Sequence, residues 1–228
     1  MFEDALRATE ILLALAFLQQ SAEHVFGAAS SRALFIPRAF LSLALLAGIH
    51  SAWALIGLAA HSLIVLTRYQ GPFNGGSDKM ALLTLYCVCL AHWLPNGIGQ
   101  ETAFAYLALQ LVLSYFVSGQ VKLTNSDWRD GTALQDVFRF SAYPVSVALR
   151  DLADCRRLLW CASWAVMIFE VLFPFSLLVP TALILALFAG AAFHLANAFL
   201  FGLNRFVWSW IAAYPSVIWL QGRILAGP

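Results

Sequence analysis

Long apolar runs follow one another along this chain, with short polar breaks between most of them. Candidate segments occupy residues 5–26, 33–48, 51–68, 79–95, 102–123, 157–179, 181–203 and 205–224. A helix needs about 20 mostly apolar residues to cross the hydrocarbon core of a bilayer, and most of these runs approach that length. Composition points the same way. Of 228 residues, 61% are hydrophobic and only 11% are charged, whereas a soluble domain carries about 25% charged residues. So few charges cannot cover a water-facing surface. The sequence therefore predicts an all-α, multi-pass transmembrane helical bundle of seven or eight spans, forming a single domain over residues 1–228. Lipid is its first expected partner.

Turn chemistry places the expected breaks at Pro37, "YQGPFNGGSD", "LPNGIGQ", Pro180 and "GLNR". Residues 33–48 and 51–68 are short and divided only by "GIHS". They read as two spans or as a bent or re-entrant pair. Residues 124–156 form a polar insert, and "TALQDVFRFSAYPVSVALRDLA" within it mixes apolar with charged residues. That mixture predicts interfacial helices. The start, "MFEDALRATEILLALAF", is acidic where a signal peptide would be basic, so the first helix is expected to be retained. A formal net charge of +1 offers no basic stripe to nucleic acid. If spans alternate, one membrane face receives every Lys and Arg except Arg7 and Arg223. The positive-inside rule makes that face cytoplasmic, with both termini outside. Tryptophans such as Trp160, Trp164, Trp208 and Trp210 read as interfacial anchors. Cys87, Cys89, Cys155 and Cys161 read as small buried hydrophobes rather than metal ligands or disulfides.

Ionisable side chains inside a span are costly and mark functional candidates. Glu170 falls in the middle of "WAVMIFEVLFPFSLL". His194 and Asn197 lie about one turn apart on the same side of the next segment. Such groups also serve simply to hydrogen-bond one helix to another, and His61 and His92 read as histidines satisfied within the core. Glu10, Gln19, Gln20, Glu23 and His24 give the first segment a polar side that must face protein. His50 and His61 are three helical turns apart, which leaves a haem-binding electron-transfer protein as an alternative.

The stretch "SGQVKLTNSDWRDGTAL" adds Lys122, one of two lysines in the chain, at the end of the fifth segment. A partly desolvated lysine loses its proton more readily than arginine and can act as a base. The plain alternative is a helix-end lysine snorkelling into the headgroups or pairing with Asp127. Gly119 permits close helix approach, and "DGTAL" reads as a turn leading into a helix with Thr132 near its cap. In the loop Asn74–Asp78, Gly75 and Gly76 allow unusual backbone conformations, and Asp78 opens the fourth segment. This loop, as a ligand contact or a simple N-cap, shares a membrane face with Lys122 if the spans alternate.

Taken together, "YFVSGQVKLTNSDWRDGTAL", "GPFNGGSD", "FEVLFPF" and "FHLANAFLFGLNRFVWSWIAAY" resemble, in order, the HTTM proteins, bacterial membrane relatives of vitamin K-dependent gamma-carboxylase. The similarity runs from about residue 70 to about residue 220. In the carboxylase, the lysine of this motif deprotonates vitamin K hydroquinone. Oxygen then reacts, and the strong base so formed takes a proton from a peptide glutamate before carbon dioxide adds. The resemblance implies that Lys122 is that base, with Glu170 and His194 as further catalytic candidates. It implies substrate or quinone contacts from Asn74, Gly75, Gly76, Asp78, Trp128 and Asn197, no metal site, and a reduced quinone as the reactant. It further implies a bacterial inner membrane, a peptide substrate or other membrane subunits as partners, and the lysine on the external side, opposite to the charge count. The chain departs from the carboxylase in lacking a histidine in the Asn74–Asp78 loop and in lacking the large peptide-binding region. Its size also fits a non-catalytic subunit or assembly factor of a larger membrane complex.

Overall fold

In the computed structural model, residues 1–27, 31–68, 75–95, 97–140 and 147–227 are described, and all regular structure among them is helical. The chain divides into two compact units. The first comprises Met1–Leu109 and Arg205–Pro228, and the second Gln110–Asn204.

The first unit contains α1 (Phe2–Phe26), α2 (Arg32–Ala47), α3 (Ser51–Arg68), α4 (Gly76–Trp93) and the start of α5 (Gly97–Thr124). It also contains α11 (Asn204–Ile211), beyond its first residue, and α12 (Tyr214–Ala226). Helix α1 packs against α2, α4 and α12. Its apolar positions Leu13 and Phe17 join Phe35, Leu45, Leu55, Leu58 and Leu85 in a fully buried core. On the polar side of α1, Glu10 and Gln20 are buried against protein, Gln19 and His24 are half-buried, and Glu23 is exposed but paired with Arg205. Arg7 donates to Glu10 at 2.6 Å and to the carbonyls of Leu45 and Leu46 at 2.8 and 2.7 Å. Those carbonyls end α2 at Gly48, which takes the left-handed conformation at φ 73°. An arginine thus satisfies carbonyls that a helix C-terminus leaves unpaired. His92 of α4 closes the set by pairing with Glu10.

Two sequence readings change here. Pro37 lies inside α2 rather than at a break. It is in the second turn, exposed, between the buried residues Phe35 and Arg38. The segment 205–224 is two helices, α11 and α12, of 8 and 13 residues with a turn at Ala212 and Ala213. Pro215 in the first turn of α12 suits a new helix start. Among the described residues, four helical stretches are long and apolar enough to cross a membrane: Ser51–Arg68, Gly97–Thr124, Arg156–Leu178 and Pro180–Phe201. At 16 residues, α2 reaches only about 24 Å. It is separate from α3, the turn between them holding Gly48 and His50 at positive φ.

The second unit holds the rest of α5, then α6 (Ser126–Arg129), α7 (Thr132–Phe140), α8 (Val147–Arg150), α9 (Arg156–Leu172) and α10 (Pro180–Phe201). Short 3-10 turns at Asp151–Asp154 and Phe173–Leu178 link the last three. The insert after Lys122 is short helices, as expected. A small core of Phe138, Ala153, Leu159 and Phe201 fixes α7 against α9 and α10. Asn125 caps α6 through Asp127 N–H, and Asp130 accepts from Thr132 N–H at 2.9 Å. The Thr132 hydroxyl, and then its backbone N–H, hold the exposed Asp130 carboxyl below its ordinary pKa. Thr132 thus begins α7, as expected, with Asp130 accepting its N–H just ahead of the helix. Only Cys87 is a buried cysteine; Cys155 and Cys161, at the start of α9, are exposed.

Gly119 is where α5 and α9 come closest. A Cβ there would lie 2.8 Å from both the Glu170 Cβ and the Val171 backbone nitrogen. Because one neighbour is backbone, the helices would have to separate. Gly119→Ala is expected to lower stability by about 1–3 kcal/mol, the usual range for overpacking. Thermal unfolding in detergent micelles measures this, and an unchanged melting temperature would contradict the close approach.

Candidate functional site

Lys122 and Glu170 are 48 residues apart in sequence and form an ion pair in the second unit. The Lys122 Nζ lies 2.8 Å from Glu170 Oε1 and 2.7 Å from Oε2. It also donates to Ser118 Oγ at 2.5 Å, one turn back on α5, and Ser118 donates to Glu170 at 3.2 Å. Side-chain exposure is 16% for the lysine and 3% for the glutamate. This is neither a free snorkel nor a pairing with Asp127. At such depth the carboxylate requires a cation, and the cation requires acceptors.

Trp128 completes the surroundings of the ammonium. Its ring centroid lies 5.2 Å from Nζ, within cation–π reach. The indole is placed by backbone anchors. Ser163 on α9 donates to the Trp128 carbonyl at 2.5 Å, and Trp164 Nε1 donates to the Arg129 carbonyl at 3.0 Å. Arg129 itself donates to the carbonyls of Leu123 and Thr124, capping α5 just past the lysine. Gly131 then takes φ 85°, with a Cβ position only 3.0 Å from Trp160 Cα, so both conformation and space call for glycine. The residues of "KLTNSDWRDG" thus form a compact cover beside one buried ion pair.

His194 is also drawn inward. Its Nε2 is hydrogen-bonded to the hydroxyl of Tyr115 at 2.9 Å, and both residues are buried. Tyr115 packs against Phe173 with the rings tilted at 39° and meets Phe169 edge-on, at centroid distances of 4.5 and 5.4 Å. It lies on α5 about two turns before Lys122. Hence α5 carries Tyr115, Ser118, Gly119 and Lys122 along one stripe facing α9 and α10. Tyr115 and Ser118 were not singled out by sequence reasoning, although their i, i+3 and i+4 spacing to Gly119 and Lys122 was the available signal. Asn197 is half-buried at the end of α10, where its carbonyl accepts from Gly202 and Leu203 N–H. Among the described residues, no hydrogen bond joins it to Lys122 or Glu170.

The remaining candidates belong to the first unit. Asp78 accepts from Gln20 Nε2 at 3.0 Å, and Arg205 Nη1 is 4.0 Å away. Gly75 is the N-cap of α4 at φ −69°, an ordinary conformation, and neither it nor Gly76 needs glycine's left-handed freedom. A Cβ at Gly76 would meet the Phe206 ring at 3.5 Å, an ordinary contact, so space does not demand glycine there either. Asn74 lies outside the described residues. His61 is buried with Nε2 bonded to the Leu34 carbonyl at 2.7 Å, while His50 is exposed in the turn before α3. The two do not share a helix face.

Removing one member of the buried ion pair leaves the other unpaired. Lys122→Met and Glu170→Leu are each expected to cost about 1–3 kcal/mol or more. The double variant is expected to cost less than their sum, by at least about 1 kcal/mol. A double-mutant cycle in micelles checks this coupling, and strict additivity would refute it.

A family profile described as the HTTM domain matches residues 101–220. No curated protein and no solved structure matches the chain. The matched span includes Lys122, Trp128, Glu170, His194 and Asn197, and excludes the Asn74–Asp78 loop. With four helical stretches suited to crossing a bilayer and a match over more than half its length, this is an integral membrane protein that belongs to the HTTM domain family.

Proposed function

We propose that the chain works as one HTTM-like domain over residues 1–228, with seven or eight membrane crossings, and performs proton-transfer chemistry on a lipid-soluble quinol in the bacterial inner membrane. The observation that supports this reading is the buried Lys122–Glu170 pair beside Trp128, within the segment matched by the family. An ammonium held by a carboxylate and a serine hydroxyl has a ready route to the neutral amine, because Glu170 can take its proton directly. The neutral Nζ then accepts a proton from a quinol hydroxyl. Glu170 is the second proton carrier, and Ser118 keeps both groups aligned. His194 orients the site through Tyr115, and Trp128 and Asn197 bound the space available to the substrate. Asp78, Gly75 and Gly76, together with Asn74, are a second group of candidate ligand contacts. Through the carboxylase resemblance, the product of this step serves peptide or protein modification.

A second reading has its own support. The described surface is rich in exposed large apolar side chains, including Phe40, Trp53, Phe188 and Phe199. Such a surface suits lipid, and it suits other membrane subunits equally well. In that case the ion pair joins α5 to α9 and does no chemistry.

Arginine separates the two. Lys122→Arg keeps the charge and the carboxylate contact but cannot act as a base near neutral pH. For the enzyme, Lys122→Arg is expected to insert and melt like the wild type, yet lose at least about 100-fold in oxygen uptake driven by a reduced naphthoquinone, the usual scale of general base catalysis. Wild-type protein in nanodiscs without such uptake, or full uptake by Lys122→Arg, would overturn the catalytic reading. A fixed partner copurifying with untagged stoichiometry would then favour the subunit.

A further inference from the structure

The first unit holds a second polar site that its sequence did not reveal. Arg38 of α2 is 4% exposed and sits in the interior. Its guanidinium carbon lies 4.1 Å from the Phe17 ring centroid and 5.8 Å from that of Phe35. Ring faces attract the charge but do not accept its in-plane N–H bonds. Among the described residues no carbonyl or hydroxyl accepts from Arg38, and no carboxylate is within ion-pair distance. A buried cation left in that condition is costly.

Arg38 lines a cavity that Asp78 and Gln20 also line, with Val65, Leu66 and Leu82 among its apolar walls. The cavity is small, about 20 Å³, room for one water-sized group, and it opens outward past the apolar walls. Asp78 accepts from Gln20 and has Arg205 close by. The site therefore offers guanidinium donors, a carboxylate acceptor and the Ser62 hydroxyl in one lining, with apolar surface beside them.

Arginine can only donate, and a carboxylate can only accept. A group seated between them must accept from one and donate to the other. A hydroxyl does both with a single oxygen, which suits so small a space. A carboxylate would face Asp78, and an ammonium would face Arg38, each against a like charge. We propose that the Arg38–Asp78 cavity binds the hydroxyl head of an apolar molecule whose hydrocarbon part lies along Val65, Leu66 and Leu82. The site is independent of the role assigned to Lys122, since all its residues belong to the first unit.

The test uses full-length protein in nanodiscs at pH 7.5, with probes that share one tail and differ in head: 1-decanol, decanoate, decylamine and decane. Affinities come from ligand-dependent melting. Decanol is expected to bind at least tenfold more tightly than the other three. Arg38→Met is expected to abolish that preference. Asp78→Asn supplies an N–H donor and is expected to admit 2-undecanone, an acceptor-only head that the wild type binds poorly. If Arg38→Met fails to fold, the ketone result with Asp78→Asn decides alone. Equal affinity for decane and decanol means that the cavity holds water only and overturns the proposal. Strongest binding by decanoate, or no gain for the ketone in Asp78→Asn, overturns it as well.

Discussion

A charge placed among apolar helices must find its counter-charge and hydrogen bonds within the protein, and that requirement shapes both units. Bulk water is not there to solvate it. In the first unit Arg7 satisfies the end of α2 and Glu10 together, and His92 joins them. In the second, Lys122 satisfies Glu170 and joins α5 to α9. Each such contact selects one helix pairing from the many that apolar packing alone would tolerate. Leu and Phe supply bulk at these contacts, while the few ionised groups supply register.

The functional candidates follow from the same economy. Lys122 is kept near its partner by Ser118, by the Trp128 ring and by the close approach at Gly119. The Trp128 ring is in turn held through backbone carbonyls gripped by Ser163 and Trp164. A side chain with this many contacts is held in one geometry. Arg38 lacks comparable support, which is why its cavity reads as a place for something else.

Much of this was legible in the sequence, and the gaps have physical causes. The membrane class, the helical fold and the prominence of Lys122, Trp128 and Glu170 follow from hydropathy and from residue types too costly to be casual. The partnership of Lys122 with Glu170 did not follow, because periodicity describes one helix at a time and these residues are on two. The same holds for Glu10 and His92, each visible as a polar residue in its own segment. Arg38 passed unnoticed because an arginine near a helix start looks like a headgroup contact until its burial is known. Gly75 and Gly76 misled in the other direction. Paired glycines signal unusual backbone, yet here one caps α4 in an ordinary conformation and the other would accept a Cβ in ordinary contact with Phe206. The last hydropathic run could not reveal its own interruption, since Ala212 and Ala213 are as apolar in a turn as in a helix.

The indole of Trp128 lies within 5.2 Å of a group whose charge changes when it gives up its proton. Indole emission shifts in energy with the local electric field. The molecule thus carries its own optical gauge of the protonation of Lys122, built from the residue that holds the lysine in place and readable without any added dye.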